Sequence, residues 1–585
     1  MEFNYDDYEM FISEAETSGC PDLVGDPDEA FAALSTEAEE GDPHSVYLLG
    51  RFYALGIGVA PDTQEAIELI AEAAEAGDVD AQYDIGCRYA SGDGVDQDYV
   101  IAIKWFRMAA EEEDARAQNY LGVCYENGDG VEQDMSEAVE WYRKAAEQGY
   151  ADAQFNLGAC YTDGEGAEQN VVEAVKWYRK AAEQGLACAQ FFLGVCYQNG
   201  EGVEMDMSEA VKWYRKAAEQ GYVFAQFLLG FCYENGEGVE MDMSEAVEWY
   251  RKAAEQGYAD AEIALGECYE HGRGVDIDLA EAESWYRKAF EDGDEDVRHD
   301  AQVNLARLLK KKEELIAKEL DELIGLEDVK KDVRRLFKVL RTHRKRREAG
   351  LKAPEMTYHC VFTGNPGTGK TTVARILAKI YASTGVVQSD KFIEAGRSDI
   401  VAEYLGQTAV KCNALIDSAL GGVLFIDEAY SLVTSPDACQ DPYGREAVDT
   451  LLMRMENDRR RLVVIVAGYT KEMEEFINSN PGLKSRFTKF FHFPDYTADE
   501  LVAIFEKIVS AEGYKISPAA KNKVKRIFDT AIAQKPKNFG NAREVRRFCE
   551  MVFSRQAERI DDMVSKVTKL QLQQLRAVDI PDALL

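Results

Sequence analysis

A period of 36 residues, running from about residue 41 to residue 293, constrains this chain more than any other feature. Its markers are Gly50, Gly86, Gly122, Gly158, Gly194, Gly230 and Gly266, and the Gly-x-Gly pairs that follow, such as Gly128/Gly130 and Gly164/Gly166. The tryptophans Trp105, Trp141, Trp177, Trp213, Trp249 and Trp285 all hold one register. A unit this short cannot bury an apolar face alone and must stack on its neighbours, so the period predicts a solenoid of seven units. Each unit reads as helix, tight loop, helix. The first helix is of the type Ala151–Tyr161, and the loop of the type Asp163-Gly164-Glu165-Gly166. The second helix is of the type Ser208–Gln220. Asp206/Glu209, Asp134/Glu137 and Asp242/Glu245 fit capping boxes. Gly149, Gly185, Gly221 and Gly257 end the second helices. The Trp and Tyr positions are expected to fill the seam to the next unit. Unit one departs with Leu69 in the Trp register, and unit two ends in Glu113 where the others carry glycine.

The flanks of the repeat are simpler. Residues 1–40 read as an acidic N-terminal cap, and residues 294–320 as a capping and linking helix. Cys124, Cys160, Cys196, Cys232 and Cys268 stand 36 apart in one Gly-x-Cys-Tyr setting. They are one structural position repeated, small buried helix residues rather than a metal or disulfide set.

Charge divides the chain at the same place. Residues 1–320 carry 24 basic and 71 acidic side chains, and residues 321–585 carry 42 and 36. An acidic repeat half repels phosphates, which argues against nucleic acid as its ligand. It either favours basic protein partners, held more weakly as salt rises, or serves only to keep a long solenoid in solution. No run reaches the ~18 apolar residues of a membrane-spanning helix. The first 28 residues lack a signal or transit pattern, so a cytoplasmic location is expected.

The second half turns on one loop. Gly364-Asn365-Pro366-Gly367-Thr368-Gly369-Lys370-Thr371 follows a strand-like run, Tyr358–Thr363, and precedes a helical run, Thr372–Thr384. Strand, G-x-x-x-x-G-K-[ST], helix is the setting of a phosphate-binding loop. Backbone N–H groups and the helix N-terminus favour phosphate oxygens. Lys370 reaches the β- and γ-phosphates, and the Thr371 hydroxyl can ligate Mg²⁺. A buried strand, Val423–Ile426, ends in Asp427-Glu428. The first acid can hold Mg²⁺, and the second can take a proton from an attacking water. The pair reads as Walker B, so the chemistry expected is Mg-ATP binding and hydrolysis. Further strands are expected at 391–394, 462–467 and 490–493, and a helix from Asp321 to about residue 349. The basic stretch Arg341–Arg347 in that helix reads as a solvated face. The fold class is therefore α plus α/β: an α/α repeat solenoid, an α/β ATPase domain over 321–495, and a helical lid over 496–585.

The repeats resemble Sel-one-like repeats, relatives of tetratricopeptide repeats, which implies a protein-interaction scaffold. From Leu323 to about Phe548 the chain resembles the CbxX/CfqX branch of AAA+ ATPases, the group of CbbX and stage V sporulation protein K. The motifs that carry this are Phe362–Arg375, Tyr404–Ala409, Phe425–Leu432, Glu446–Leu452, Ala467-Gly468-Tyr469, Asn480–Phe487 and Gly540–Arg543. The resemblance implies a ring, usually hexameric, that couples ATP hydrolysis to remodelling of a protein substrate. It implies nucleotide contacts over Gly364–Thr372, with Ile324 and Gly325 flanking the adenine. Arg486 looks like the arginine finger that serves a neighbouring subunit, Arg543 like the sensor-2 arginine, and Tyr404 like the aromatic of the central pore. Tyr469 falls where many AAA+ proteins carry a polar sensor-1 residue. Repeats ahead of such a module are similar in architecture to the EccA ATPases of type VII secretion. Two other readings stand beside the remodelling motor: a nucleotide-switched binding scaffold with little turnover, and a nucleic-acid motor.

Overall fold

The computed structural model describes residues 5–18, 26–354, 356–402, 407–433, 442–534, 539–563 and 568–584. They form two compact units, Met1–Leu305 and Ala306–Leu585. The division falls inside one long helix, Glu295–Asp321.

In the first unit the 36-residue period becomes paired helices such as Ala115–Asn127 with Met135–Glu147. Asp114 caps the first by accepting from Ala117 N–H, and Asp134 caps the second by accepting from Ser136 and Glu137 N–H. The expected capping boxes form only by half. In the unit of Asp206, the aspartate accepts from Glu209 N–H at 3.0 Å, but the Glu209 carboxylate turns to Lys212 Nζ at 2.8 Å. An ammonium one turn along competes better for a carboxylate than a backbone N–H already facing water.

The marker glycine is explained by its partner. A Cβ on Gly122 would lie 2.5 Å from the Tyr142 ring. The same clash repeats at Gly158 with Tyr178 and at Gly194 with Tyr214. Each tyrosine lies flat on the glycine of its own unit and is buried. The tryptophans pack backward: Trp141, Trp177 and Trp285 lie against the core clusters of the units before them. The expectation that both positions fill the seam to the next unit holds for the tyrosine, since Tyr142 packs with Ala153, Leu157 and Cys160 of the unit that follows, and is corrected for the tryptophan. The tyrosine closes the helical hairpin, and the tryptophan one residue earlier faces the preceding unit. From Trp141 onward a lysine three residues on covers each ring, as Lys144 Nζ does 3.7 Å from the Trp141 centroid.

A glutamine ladder runs through the units. Gln118 Nε2 donates to Ala110 O at 3.2 Å, and Gln148 Nε2 donates to Gln118 Oε1 at 2.9 Å. The pattern recurs at Gln154/Gln184, Gln190/Gln220 and Gln226/Gln256. In the last unit Glu262 takes the place of glutamine, and Lys288 supplies the donor to Ala254 O at 3.0 Å.

Glu113 adopts φ +66°, the left-handed region that Gly77 and Gly149 occupy in neighbouring units. An L-residue is strained there. Glu113→Gly is expected to stabilise the repeat unit by ~0.5–1 kcal/mol. A urea midpoint equal to or below that of the wild type would contradict this.

Ahead of the repeats lie helices Tyr5–Ser18 and Pro27–Glu39. Tyr8 and Phe11 set their rings edge-on to Phe52, at 6.1 and 6.3 Å, and so cover the open end of the first repeat.

The second unit holds a five-stranded parallel sheet: β1 Cys360–Gly364, β2 Phe392–Ala395, β3 Val423–Ile426, β4 Val463–Gly468 and β5 Lys489–Phe493. The spatial order is β2-β3-β4-β1-β5. Both faces are covered, as parallel sheets require. Phe362, Phe425 and Ile465 face a core shared with helix Lys370–Ser383 and with Phe505, Phe528 and Phe548 of the lid. Val361, Leu424 and Val464 face a second core with Ile416, Phe476 and Leu483.

Three expectations change here. The helix expected to open at Asp321 begins at Glu327, because Gly325 and Leu326 are both left-handed, at φ +64° and +59°, and break the helical hydrogen-bond chain. The arginines of Arg341–Arg347 are not simply solvated. Arg344 pairs with Glu313 at 3.1 Å, and Arg347 donates to Thr384 O at 2.7 Å. Residues 497–585, read as helical throughout, contain a two-stranded parallel ladder of Lys515–Ile516 with Gln574–Leu575. It closes the lid between helix Ala498–Ala511 and helix Pro518–Ala533. Among the described residues no helix is long and apolar enough to cross a membrane.

Candidate functional site

In an open parallel sheet the C-terminal ends of the strands form a natural crevice. Here β3, β4 and β1 are neighbours in that order, so their ends bring together Asp427-Glu428, Gly468-Tyr469 and the loop after Gly364. The resulting cleft has a volume of about 260 Å³. Gly364, Pro366, Gly367, Gly369, Lys370, Thr371, Thr372, Asp427, Glu428, Tyr469 and Arg543 all line it.

Helix Lys370–Ser383 starts at the cleft, with Gly369 left-handed at φ +93° ahead of it. Its first N–H groups and its positive end face the space a phosphate would take. Lys370 Nζ is folded onto the loop, donating to Gly364 O and Asn365 O at 2.9 Å each. Burial pulls the Lys370 pKa below the ordinary lysine value, while Asp427 pulls the other way. Glu428 is exposed to the cleft and sits at φ +49°. A non-glycine residue held there marks a backbone that the surrounding fold constrains, as occurs at functional sites. Tyr469 packs its ring on Tyr430, 5.9 Å between centroids.

The rest of the expected phosphate loop acts on its own scaffold. Thr368 is buried and donates to Asn365 O at 2.8 Å. Asn365 Nδ2 donates to both oxygens of Asp495, at 2.9 and 3.0 Å. Asp495 also accepts from Asn541 Nδ2 at 2.8 Å, and Asn541 Oδ1 accepts from Tyr496 N–H at 3.0 Å. Ala542 N–H then donates to Gly367 O at 3.2 Å. A Cβ on Gly367 would run into Gly540 O, so only glycine lets the loop and the lid meet this closely. The chain Asn365–Asp495–Asn541 thus ties the phosphate loop, the end of the sheet and the start of the lid helix Ala542–Asp561. Arg543 enters the cleft from that helix, and Arg546, one turn on, lines the cleft beside it. Sequence reasoning missed Asp495 and Arg546, and gave Asn541 no role although it stands in the motif Gly540–Arg543. The i, i+3 spacing of Arg543 and Arg546 was the available signal for Arg546.

Not every expected residue meets in this cleft. Ile324 and Gly325 do not line it; their neighbour Leu326 lies against Gly369. Arg486 ends helix Pro481–Arg486, ahead of β5, and so belongs to the N-terminal edge of the sheet. Strands of five residues separate the two edges by ~16 Å. There Arg486 pairs with Glu456 at 3.4 Å, beside Arg459, Arg460 and His359. Tyr404 lies outside the described residues.

The donor set suits Mg²⁺, since the Thr371 hydroxyl and the Asp427 carboxylate are hard oxygen ligands on one cleft.

A parallel sheet with a phosphate loop after β1, paired acids after β3 and an arginine-bearing helical lid defines a P-loop ATPase domain of the AAA type. Comparison with protein families agrees. Residues 360–495 match the ATPase family associated with various cellular activities, and residues 497–584 match the AAA lid domain. Seven Sel1 repeats match between residues 43 and 294. The chain belongs to the AAA family that includes stage V sporulation protein K of Bacillus subtilis. It is 39% identical to that protein over 266 residues, 45% of this chain and 81% of the relative. It is also 48% identical to the ESX-3 secretion system protein EccA3 of Mycolicibacterium smegmatis over 37% of this chain and 35% of that one. With the ESX-1 secretion system protein EccA1 of Mycobacterium leprae the identity is 41%, over 46% of this chain and 48% of that one. The match thus spans about a third to a half of the secretion-system relatives.

Proposed function

We propose that this chain is a Mg²⁺-dependent ATPase that assembles into a homo-hexameric ring and remodels or moves protein partners recruited through its Sel1 repeats. The observation that supports this most is the convergence of Lys370, Thr371, Asp427 and Glu428 on one cleft. In this reading Lys370 leaves its carbonyl partners for the phosphates, and Thr371 and Asp427 hold Mg²⁺, which neutralises charge on the phosphates. Glu428 takes a proton from the water that attacks the γ-phosphorus, and ADP leaves. Arg543 contacts the nucleotide from the lid, and Ile324-Gly325 flank the adenine. Arg486 completes the site of the neighbouring subunit, and Tyr404 grips substrate in the pore.

Partners are taken to be proteins rather than nucleic acids, in keeping with the acid carried to residue 320. A cytoplasmic location belongs to the same reading. The architecture of repeats ahead of an AAA module suggests a role beside a secretion machinery, as in the relatives named above.

Turnover separates the motor from a nucleotide-switched scaffold. Wild type is expected to hydrolyse ATP with Mg²⁺ and to stop on chelation. Glu428→Gln is expected to bind ATP and hydrolyse it ~10²–10⁴-fold more slowly, the range a general base contributes. Light scattering of Glu428→Gln with ATP is expected to show a hexamer. Equal turnover in the two proteins would remove Glu428 from its assigned role.

A further inference from the structure

The seven repeats share a framework but not a surface. In the last five units the first helix buries the same small and aliphatic set, such as Ala189, Leu193 and Cys196, or Ala225, Leu229 and Cys232. Outside that set, two adjacent units break the repeat in one direction. Phe192 stands where the preceding unit has Asn156, and Phe224 where the next unit has Asp260, the preceding unit Cys188 and the one before that Asp152. Phe231 stands where the next unit has Glu267. The framework does not require the rings, since each position is polar in at least one other unit: Asn156 at the first, Asp152 and Asp260 at the second, Glu267 at the third. All three are exposed, at 38, 45 and 40%.

Phe192 and Phe224 are joined through the ring of Phe191. Phe191 touches Phe192 at 5.4 Å and Phe224 at 6.1 Å between centroids, and Phe224 touches Tyr258 at 5.4 Å. Phe224 and Phe231 share one face of helix Val223–Asn235, two turns apart. An exposed run of aromatics in mutual contact is the composition of an interaction site. Carboxylates bracket it at the equivalent positions, Asp152 on one side and Asp260 and Glu267 on the other.

We infer that this aromatic patch is a docking site for a partner protein's amphipathic helix that carries aliphatic anchors on one face and Lys or Arg at the flanks. The inference deepens the recruitment role assigned to the repeats and rests on it. Aliphatic anchors fill the spaces between the rings, and the basic flanks meet the bracketing acids, which repel a helix of acidic flank.

The test uses the full chain without nucleotide and fluorescein-labelled 18-residue helical peptides, one of Leu and Lys, one with Glu for Lys and one with Ser for Leu. Phe192→Asn, Phe224→Asp and Phe231→Glu are combined, each installing the residue a neighbouring unit carries, so the fold is expected to be kept. Phe224→Asp alone serves if the triple variant melts early. The triple variant adds two negative charges, so binding driven by charge alone becomes tighter while anchored binding becomes weaker. The expected result is binding of the Leu/Lys peptide by wild type, at least tenfold weaker binding by the variant, and little binding of the other two peptides. Binding unchanged or tightened in the variant overturns the proposal, as does equal binding of the Leu/Glu peptide. Self-association of wild type that the variant loses and the peptide does not compete assigns the patch to a second copy and overturns it too. ATP turnover, unchanged in the variant, reports on the nucleotide cleft separately, so failure of the patch and failure of the ATPase reading are distinguishable.

Discussion

Lys370→Ala is expected to abolish ATP binding at micromolar nucleotide. Lys370 Nζ holds two carbonyls of its own loop, Gly364 O and Asn365 O, and among the described residues no other side chain lining the cleft carries an ammonium. Hydrogen bonds to charged groups are worth ~1.5–3 kcal/mol each. Two lost contacts to phosphate oxygens weaken binding by ~10²–10⁴-fold. The fold is expected to survive, because the two carbonyls open onto the cleft and water replaces the ammonium. Isothermal titration with ATP and a thermal melt check the two halves of this result. Retained affinity would mean that the phosphates sit elsewhere. A lost fold would mean that the lysine serves the loop rather than the ligand.

Arg486→Ala is expected to keep ATP binding and lose hydrolysis by ~10³–10⁵-fold, the contribution of arginine fingers in other NTPases. The argument is positional. Arg486 lies at the N-terminal edge of the sheet, paired with Glu456 at 3.4 Å, and its own nucleotide cleft opens at the other edge. A planar, permanently charged guanidinium loosely held by one exposed carboxylate can exchange that partner for a phosphate presented by another subunit. Mixing experiments test this directly. Arg486→Ala and Lys370→Ala proteins, each inactive alone, are expected to regain partial turnover when mixed, since one supplies the finger and the other an intact cleft. No recovery in mixed rings of confirmed composition would count against action between subunits.

Much of the candidate site was legible because its signals are local. A glycine-rich loop between a strand and a helix, and two acids at the tip of a four-residue apolar run, are short patterns with a physical reason at each position. The roles of Asp495 and Asn541 were not legible for the opposite reason. Each is an ordinary polar residue in its own neighbourhood, and they meet Asn365 only because β5 and the lid helix converge on the phosphate loop. The tryptophans show the same limit. Their register was plain, but a period states that a residue recurs and not which neighbour it faces. The break at Gly325 and Leu326 was hidden because a leucine gives no sign that it will adopt a left-handed backbone.

The sequence by itself determined the architecture: 36-residue units that must stack to bury their apolar faces, then a P-loop domain with its lid. It did so because periodicity and phosphate-loop chemistry are written in consecutive residues. Only the tertiary structure decided which groups share a space. It set Lys370, Asp427, Glu428 and Arg543 on one cleft and Arg486 on the other edge of the sheet. It also joined the rings of Phe192, Phe191, Phe224 and Tyr258 into one patch across successive repeats. Strand order and helix stacking fix such meetings, and both are set by packing between residues far apart in the chain.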